Sequence, residues 1–509
     1  MSPRTIHSIG WLAAWMAAVL VAGGGCPAAS GAIRTHLGPS GSAQASAPAA
    51  VPAAIPNAHC LACHGTGLMG APKVDPTVLA HSVHASLACV SCHASVRTLP
   101  HGVPLAPVKC ASCHAEAYRS YMETPHGQAA KLGLATAPGC VSCHGTHGIL
   151  SPANPHARVS AANRAATCRG CHAGASANLA GYDPHPRPAD PGRSAPLAYA
   201  HYFMLALLAG VFGFFGLHTL LWLQRGLVGR LRGEIPPLKR FTGPHIQRFT
   251  VADRLTHVTV IISFMLLALT GLPLMHPSAP WAPALTRFWG GVRTMHVIHL
   301  VNAGITFGYF FFHLCYLAYR VVLGKQRYRL FGEDSLVPNW TDIKDIGRNF
   351  RWFVYLGPQP KMGRWTYWEK FDYWAVFWGV AIIGISGLML AAPLLFTRVL
   401  SGIWLNVAFV VHSEEALLAV GFIFIFHFFH NHLGPLKFPI DVSIFTGRVP
   451  LDRFQEERPL QYQQLLQEGT LEKSIVPPPS LLMTSIAVLF GSAVLITGVT
   501  LIALVIFAG

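Results

Sequence analysis

Acidic residues are scarce in this sequence: Asp and Glu number 21 against 37 Lys and Arg, and charged residues fill only 11% of 509 positions. A chain that is 52% hydrophobic and so poor in charge is not expected to be one soluble globular domain. A nucleotide-binding loop, a flavin fingerprint and a hydrolase constellation are missing, which sets aside the chemistries they carry. Large apolar side chains are few between residues 57 and 173, too few to build an ordinary hydrophobic core. Something other than side chains must fill that stretch. The formal net charge of +16 would point to nucleic acid in a soluble protein. Here much of the Lys and Arg lies in short loops between apolar runs, so membrane orientation accounts for it and no nucleic-acid partner is expected.

What is present begins with Arg4, the apolar run "GWLAAWMAAVLVAGGG" and the small residues of "CPAASGA". Residues 1–30 read as an export signal; lipid attachment at Cys26 and an uncleaved anchor stay open as alternatives. Residues 31–56 are an Ala/Pro/Ser-rich linker, residues 57–180 a Cys- and His-rich domain, and residues 181–197, around "GYDPHPRPADPGRSAP", a Pro-rich hinge. The remainder, 198–509, contains six apolar stretches near 198–223, 251–275, 295–321, 372–396, 403–431 and 480–507. Each is long enough to cross about 30 Å of hydrocarbon as a helix. The expected fold class is all-α, a membrane helical bundle preceded by a loop-rich domain.

The loops between spans are asymmetric. Arg225, Arg230, Arg232, Lys239, Arg240 and Arg248 follow the first span, and Lys325, Arg327, Arg329, Lys344, Arg348, Arg351, Lys361 and Arg364 follow the third. By contrast, 276–292 offers only Arg287 and 397–402 only Arg398. The basic loops are expected in the cytoplasm, which puts the cysteine-rich domain outside, in the periplasm of a bacterial inner membrane.

The unit CxxCH occurs five times: Cys60, Cys63, His64; Cys89, Cys92, His93; Cys110, Cys113, His114; Cys140, Cys143, His144; and Cys168, Cys171, His172. Zinc ribbons and disulfides are the other uses of such pairs, but neither requires a histidine after every pair. The pattern is the attachment signature of c-type haem, in which two thiols form thioethers and the adjacent imidazole ligates iron. Five covalently bound haem c groups also account for the missing core, because porphyrins bring their own apolar bulk.

Further histidines are dense in the same segment and are candidates for the sixth iron ligand. The expected set is His84, His101, His126 and His147, with His81, His59 or His156 as the fifth. Iron held by two imidazoles has no vacant position and suits electron transfer rather than substrate binding.

Ionisable residues inside membrane spans are costly and tend to be functional. His412 and His427 are 15 residues apart in the fifth span, about 22 Å along an α-helix and roughly 60° around it. That spacing suits two haem b groups stacked across the bilayer. Matching depths pairs His299 with His412 toward the outside and His257 with His427 toward the cytoplasm. His218, His313 and His430 are open to a blander reading, histidines hydrogen-bonded between helices. Glu414 and Glu415, beside His412, read as packing at a helix end or as relays for protons.

Four stretches of the membrane half, "RFTVADRLTHVTVIISFMLLALTGLPL", "MHVIHLVNAG", "DYWAVFWGVAIIGISGLML" and "HSEEALLAVGFIFIFHFFHNHL", resemble the dihaem cytochrome b subunits of respiratory formate dehydrogenases and nickel-iron hydrogenases. The resemblance covers about 250–440. It implies a four-helix bundle holding two b haems, with His257 as the first ligand, His299 or His296 as the second, and His412 and His427 as the last two. It also implies a quinone pocket near the cytoplasmic-side haem. The extra helix at each end and the fused pentahaem segment depart from that family. The whole chain is similar to inner-membrane b/c-type multihaem quinone oxidoreductases.

The expected activity is quinol oxidation, as a quinol:cytochrome c-type oxidoreductase, with electrons passing through two b haems and five c haems to a periplasmic cytochrome c or terminal reductase. Quinone or menaquinone is the exchangeable redox substrate, and the protein sets spacing, potential and proton access for its cofactors. The alternatives are a membrane anchor relaying electrons from a periplasmic dehydrogenase to quinone, and a catalytic multihaem reductase with an open iron.

Overall fold

The computed structural model describes residues 55–234, 243–323, 330–332, 334–434, 437 and 440–508. The expected signal at 1–30, and the expected linker up to residue 54, lie outside them. The described residues are helical apart from loops and one small sheet, and they divide into two compact units.

The first unit runs to Arg187 and also takes in Ala392–Asn406. Its helices are short: Asn57–His64, Pro76–Ala80, Cys89–Cys92, Ala115–Met122, Pro125–Lys131, Cys140–His144 and Arg164–Arg169. Two are started by capping side chains. Asp75 accepts from Thr77 N, and Thr124 accepts from Gly127 N, each with proline in the first turn. Within this unit Gly402 N donates to Asn178 O, and Asn406 exchanges two hydrogen bonds with Asp183. A Cβ on Gly402 would stand 2.2 Å from Tyr182 N, so only glycine permits that approach.

The second unit contains six helices long and apolar enough to cross a membrane. They are α1 (Ala195–Leu231), α2 (Val251–Met275), α3 (Val292–Val322), α4 (Tyr367–Ala391), α5 (Ile403–Leu433) and α6 (Leu481–Ala508). Such helices identify a multi-pass membrane protein. The α2 start is fixed by a capping box in which Thr250 and Asp253 satisfy each other's backbone N–H. α4 ends before Pro393, which has no N–H for a helix bond and opens a new short helix, Pro393–Phe396. α5 is the central helix: half of its most apolar window is buried, against 6% for α3 and α4. Its last part, Phe422–Leu433, is wound as a π-helix. Phe422, Phe424, Phe426 and Phe428 from this turn build two aromatic clusters with α1, α2, α4 and α6.

A three-stranded antiparallel sheet closes one end of this unit. β1 (His245–Gln247) lies between β2 (Arg448–Pro450) and β3 (Ile475–Val476), with Ile246 opposite both Val449 and Ile475. Ile246, Val449 and Phe454 form its buried face.

Candidate functional site

Each CxxCH sequence lies at a helical turn, in Asn57–His64, Cys89–Cys92, Cys140–His144, Arg164–Arg169 and the 3₁₀ turn Cys110–Ser112. Residues three apart on such a turn share a face, so the two thiols of each motif point the same way with the imidazole beside them. All eleven described cysteines are free, which removes the disulfide reading for the ten motif thiols. Among the described residues no three His, Cys, Asp or Glu side chains converge as a zinc site would require.

Every motif histidine faces one further imidazole. Ring centroids are 5.9 Å apart for His64 and His101, 5.9 Å for His114 and His84, and 6.2 Å for His93 and His147. They are 6.1 Å apart for His172 and His126 and 6.3 Å for His144 and His185. An imidazole nitrogen sits on the order of 2 Å from a first-row metal, so two opposed ligands put their centroids about 6 Å apart. Five gaps of this size, each beside a thiol pair, fit a haem iron. His64 Nδ1 bonds to Pro72 O at 2.8 Å, His101 Nδ1 to Gly102 O at 3.1 Å, and His185 Nδ1 to Ala117 O at 3.0 Å. Fixing Nδ1 leaves Nε2 to face the gap.

The pairs interlace the chain. His147 follows the fourth motif but faces the histidine of the second, and His84 precedes the second motif but faces the histidine of the third. His84, His101, His126 and His147, expected as partners, each meet a motif histidine. The remaining motif histidine, His144, faces His185 and not His81, His59 or His156. His81 instead turns its Nδ1 to Thr77 O at 2.7 Å, within its own helix end. His185 lies in the segment expected to be a hinge, and the compact unit continues through it to Arg187. Its ring is seated by Ala117 and Ser120, so this part of the Pro-rich stretch is structure rather than spacer.

Burial lowers the proton affinity of His93, His126 and His144, and the facing imidazole adds to the effect in each case. A neutral ring is the form that binds metal. Neighbouring motifs adjoin: the Cys89 thiol is raised first by burial and then by Cys60, Cys140 likewise by burial and Cys110, and Cys143 by burial and Cys168.

The membrane unit holds imidazole pairs of the same width. His299 on α3 and His412 on α5 are 6.3 Å apart, and His257 on α2 and His427 on α5 are 6.5 Å apart. His299, not His296, faces His412. The first pair has a repeated support. Thr270 donates its hydroxyl to Leu266 O and accepts from His299 Nδ1 at 2.9 Å; Ser386 donates to Ile382 O and lies 3.3 Å from His412 Nδ1, which also donates to Ile383 O at 3.0 Å. A glycine follows each hydroxyl residue. A Cβ on Gly271 would come within 3.4 Å of the His299 ring, and one on Gly387 within 3.0 Å of His412. In the second pair His427 Nδ1 donates to Asp372 Oδ2 at 2.9 Å, which orients Nε2. Hydroxyls, carboxylate and glycines of this kind are what a porphyrin between the rings would need from neighbouring helices.

Sequence reasoning did not find the third ring beside His257 and His427. His432 lies 6.5 Å from His257 and 5.5 Å from His427, because five residues make about one turn of a π-helix. His218 and His430 differ from all these pairs. Their nitrogens touch at 3.0 Å, too close for a metal between them, and both are fully enclosed. His313 bonds to Tyr373 OH at 2.8 Å. Glu414 bonds to His201 at 2.6 Å, and Glu415 is buried.

No curated protein matches the chain. Residues 65–172 match the Class III cytochrome C family, so the stretch that carries four of the five CxxCH motifs, from Cys89 to His172, is a multihaem cytochrome c domain, joined here to six membrane-length helices.

Proposed function

We propose that this protein is a quinol dehydrogenase of a bacterial inner membrane. Electrons leave quinol or menaquinol in the bilayer, pass two b haems held by His257 with His427 and His299 with His412, and reach five c haems in a periplasmic domain. From there they go to a periplasmic cytochrome c or terminal reductase. The observation that carries this reading is the set of seven imidazole pairs with centroids 5.9–6.5 Å apart. Iron held on both faces exchanges electrons without binding substrate, which disfavours a catalytic reductase at the c haems. Haem supplies one-electron redox chemistry. The chain's own residues fix the rings, through carbonyls in the first unit and through Thr270, Ser386 and Asp372 in the second. The basic loops support the orientation, and outward electron movement is favoured by about 2.3 kcal/mol per 100 mV when the inside is negative.

Pyridine haemochrome spectra of the purified protein are expected to give two extractable b haems for five covalent c haems. A menaquinol analogue should then reduce both types. His427→Ala should lose one b haem and stop quinol-driven reduction of the c haems, while dithionite still reduces them. Unchanged quinol-driven reduction in that variant would overturn the assignment.

A further inference from the structure

Arg458 is a buried cation with unspent donors. Its side chain is 4% exposed, and only Nη2 has a partner, Glu369 Oε1 at 2.8 Å. Among the described residues Nε and Nη1 have none. Glu369 has nothing more to offer. Its Oε1 also accepts from Arg248 Nη2 at 3.0 Å, and its Oε2 accepts from Thr366 N and Oγ1, both at 2.9 Å. Two guanidiniums on one carboxylate leave a positive charge in excess, and a buried charge of this kind calls for an anion with lone pairs for two N–H groups.

The cluster adjoins the inner imidazole pair. Glu369 is three residues before Asp372 on α4, about 4.5 Å along the helix, and Asp372 holds His427. Arg248 N donates to Gly447 O, at the end of the short helix Ser443–Thr446 whose Phe445 ring lies 6.2 Å from His257. Arg254, one turn before His257, donates to Phe445 O at 2.6 Å. These contacts therefore link the arginines to the shell around the imidazoles.

We propose that Arg458 closes on a propionate carboxylate of the haem between His257 and His427, with Arg248 and Glu369 setting its position. This rests on the b-haem reading above. An arginine fork on a carboxylate gives two parallel charge-assisted hydrogen bonds, which a lysine cannot reproduce.

The test uses the full-length haem-loaded protein and the variants Arg458→Gln and Arg458→Lys, with spectroelectrochemical titration of the b haems and resonance Raman of the propionate-bending band. In Arg458→Gln one b midpoint should fall, the other should stay, and the bending band should shift. Arg458→Lys should keep most of the midpoint, because the charge remains, yet shift the band, because the fork is gone. Unmoved midpoints and an unmoved band in Arg458→Gln would overturn the proposal. Should that variant fail to assemble, an unshifted band in Arg458→Lys overturns it alone. A wild-type protein without extractable b haem would sink the b-haem reading itself, a separate result.

Discussion

The two units bury their interiors by opposite means. Between residues 55 and 187 the buried hydrophobic side chains are Val96, Ala157, Ala175 and Leu179, two of them single methyl groups. The membrane unit buries Phe215, Phe353, Phe422, Phe424, Phe426, Phe428 and Phe429 besides many aliphatics. In the first unit imidazole pairs such as His93 with His147 and His144 with His185 join segments that share no core. In the second, the pairs sit between helices already locked by aromatic clusters. On the proposed function a porphyrin would be a core element in one unit and a guest between finished helices in the other.

Blocking covalent haem attachment should break this comparison most strongly. The full chain, made in cells that cannot form the thioethers, is expected to lose all protease resistance in its first unit, since a segment with so little apolar burial cannot offset its chain entropy. The six long helices should still insert and resist digestion. Limited proteolysis of membranes reads both at once. A colourless first unit as resistant as the haem-loaded one would show that its side chains suffice.

A smaller effect is confined to one proposed haem. His185→Ala should turn one fifth of the low-spin c-haem signal high-spin, with new carbon monoxide binding, while His81→Ala leaves the spectrum unchanged. Equal behaviour of the two variants would return the fifth ligand to the earlier histidines. This pair also marks where the sequence was legible. CxxCH is written in adjacent residues, and six apolar runs of membrane length are visible as composition; α2 begins and ends where its run predicts, at 251–275. α4 starts at Tyr367 rather than 372 and stops before Pro393, a break the sequence carries openly. His185 was hidden because "PHPRP" reads as spacer, and proline-rich backbone says nothing about which loop will seat it. A need for five second ligands, set against the histidines available, was the signal that could have found it. The π-turn was hidden for another reason: nothing in "FIFIFHFFHNHL" distinguishes five-residue from four-residue winding, and the third ring, His432, follows from that winding alone.

The finest test lies within the membrane unit, where the porphyrin would be the guest. Gly271 and Gly387 follow the two hydroxyl residues that hold His299 and His412, but their clearances differ: 3.4 Å is ordinary contact, whereas 3.0 Å forces the neighbour to yield. Adding one methyl group in a packed site costs about 1–3 kcal/mol when nothing can move. Here the ring is what must move. Gly387→Ala should therefore tilt the His412 imidazole, shifting the electron paramagnetic resonance g-values of one b haem at unchanged haem content. Gly271→Ala should stay near wild type. If Gly271→Ala gives the larger shift, helix packing rather than ring contact governs the His299–His412 pair, and the membrane helices would not be finished before a haem enters.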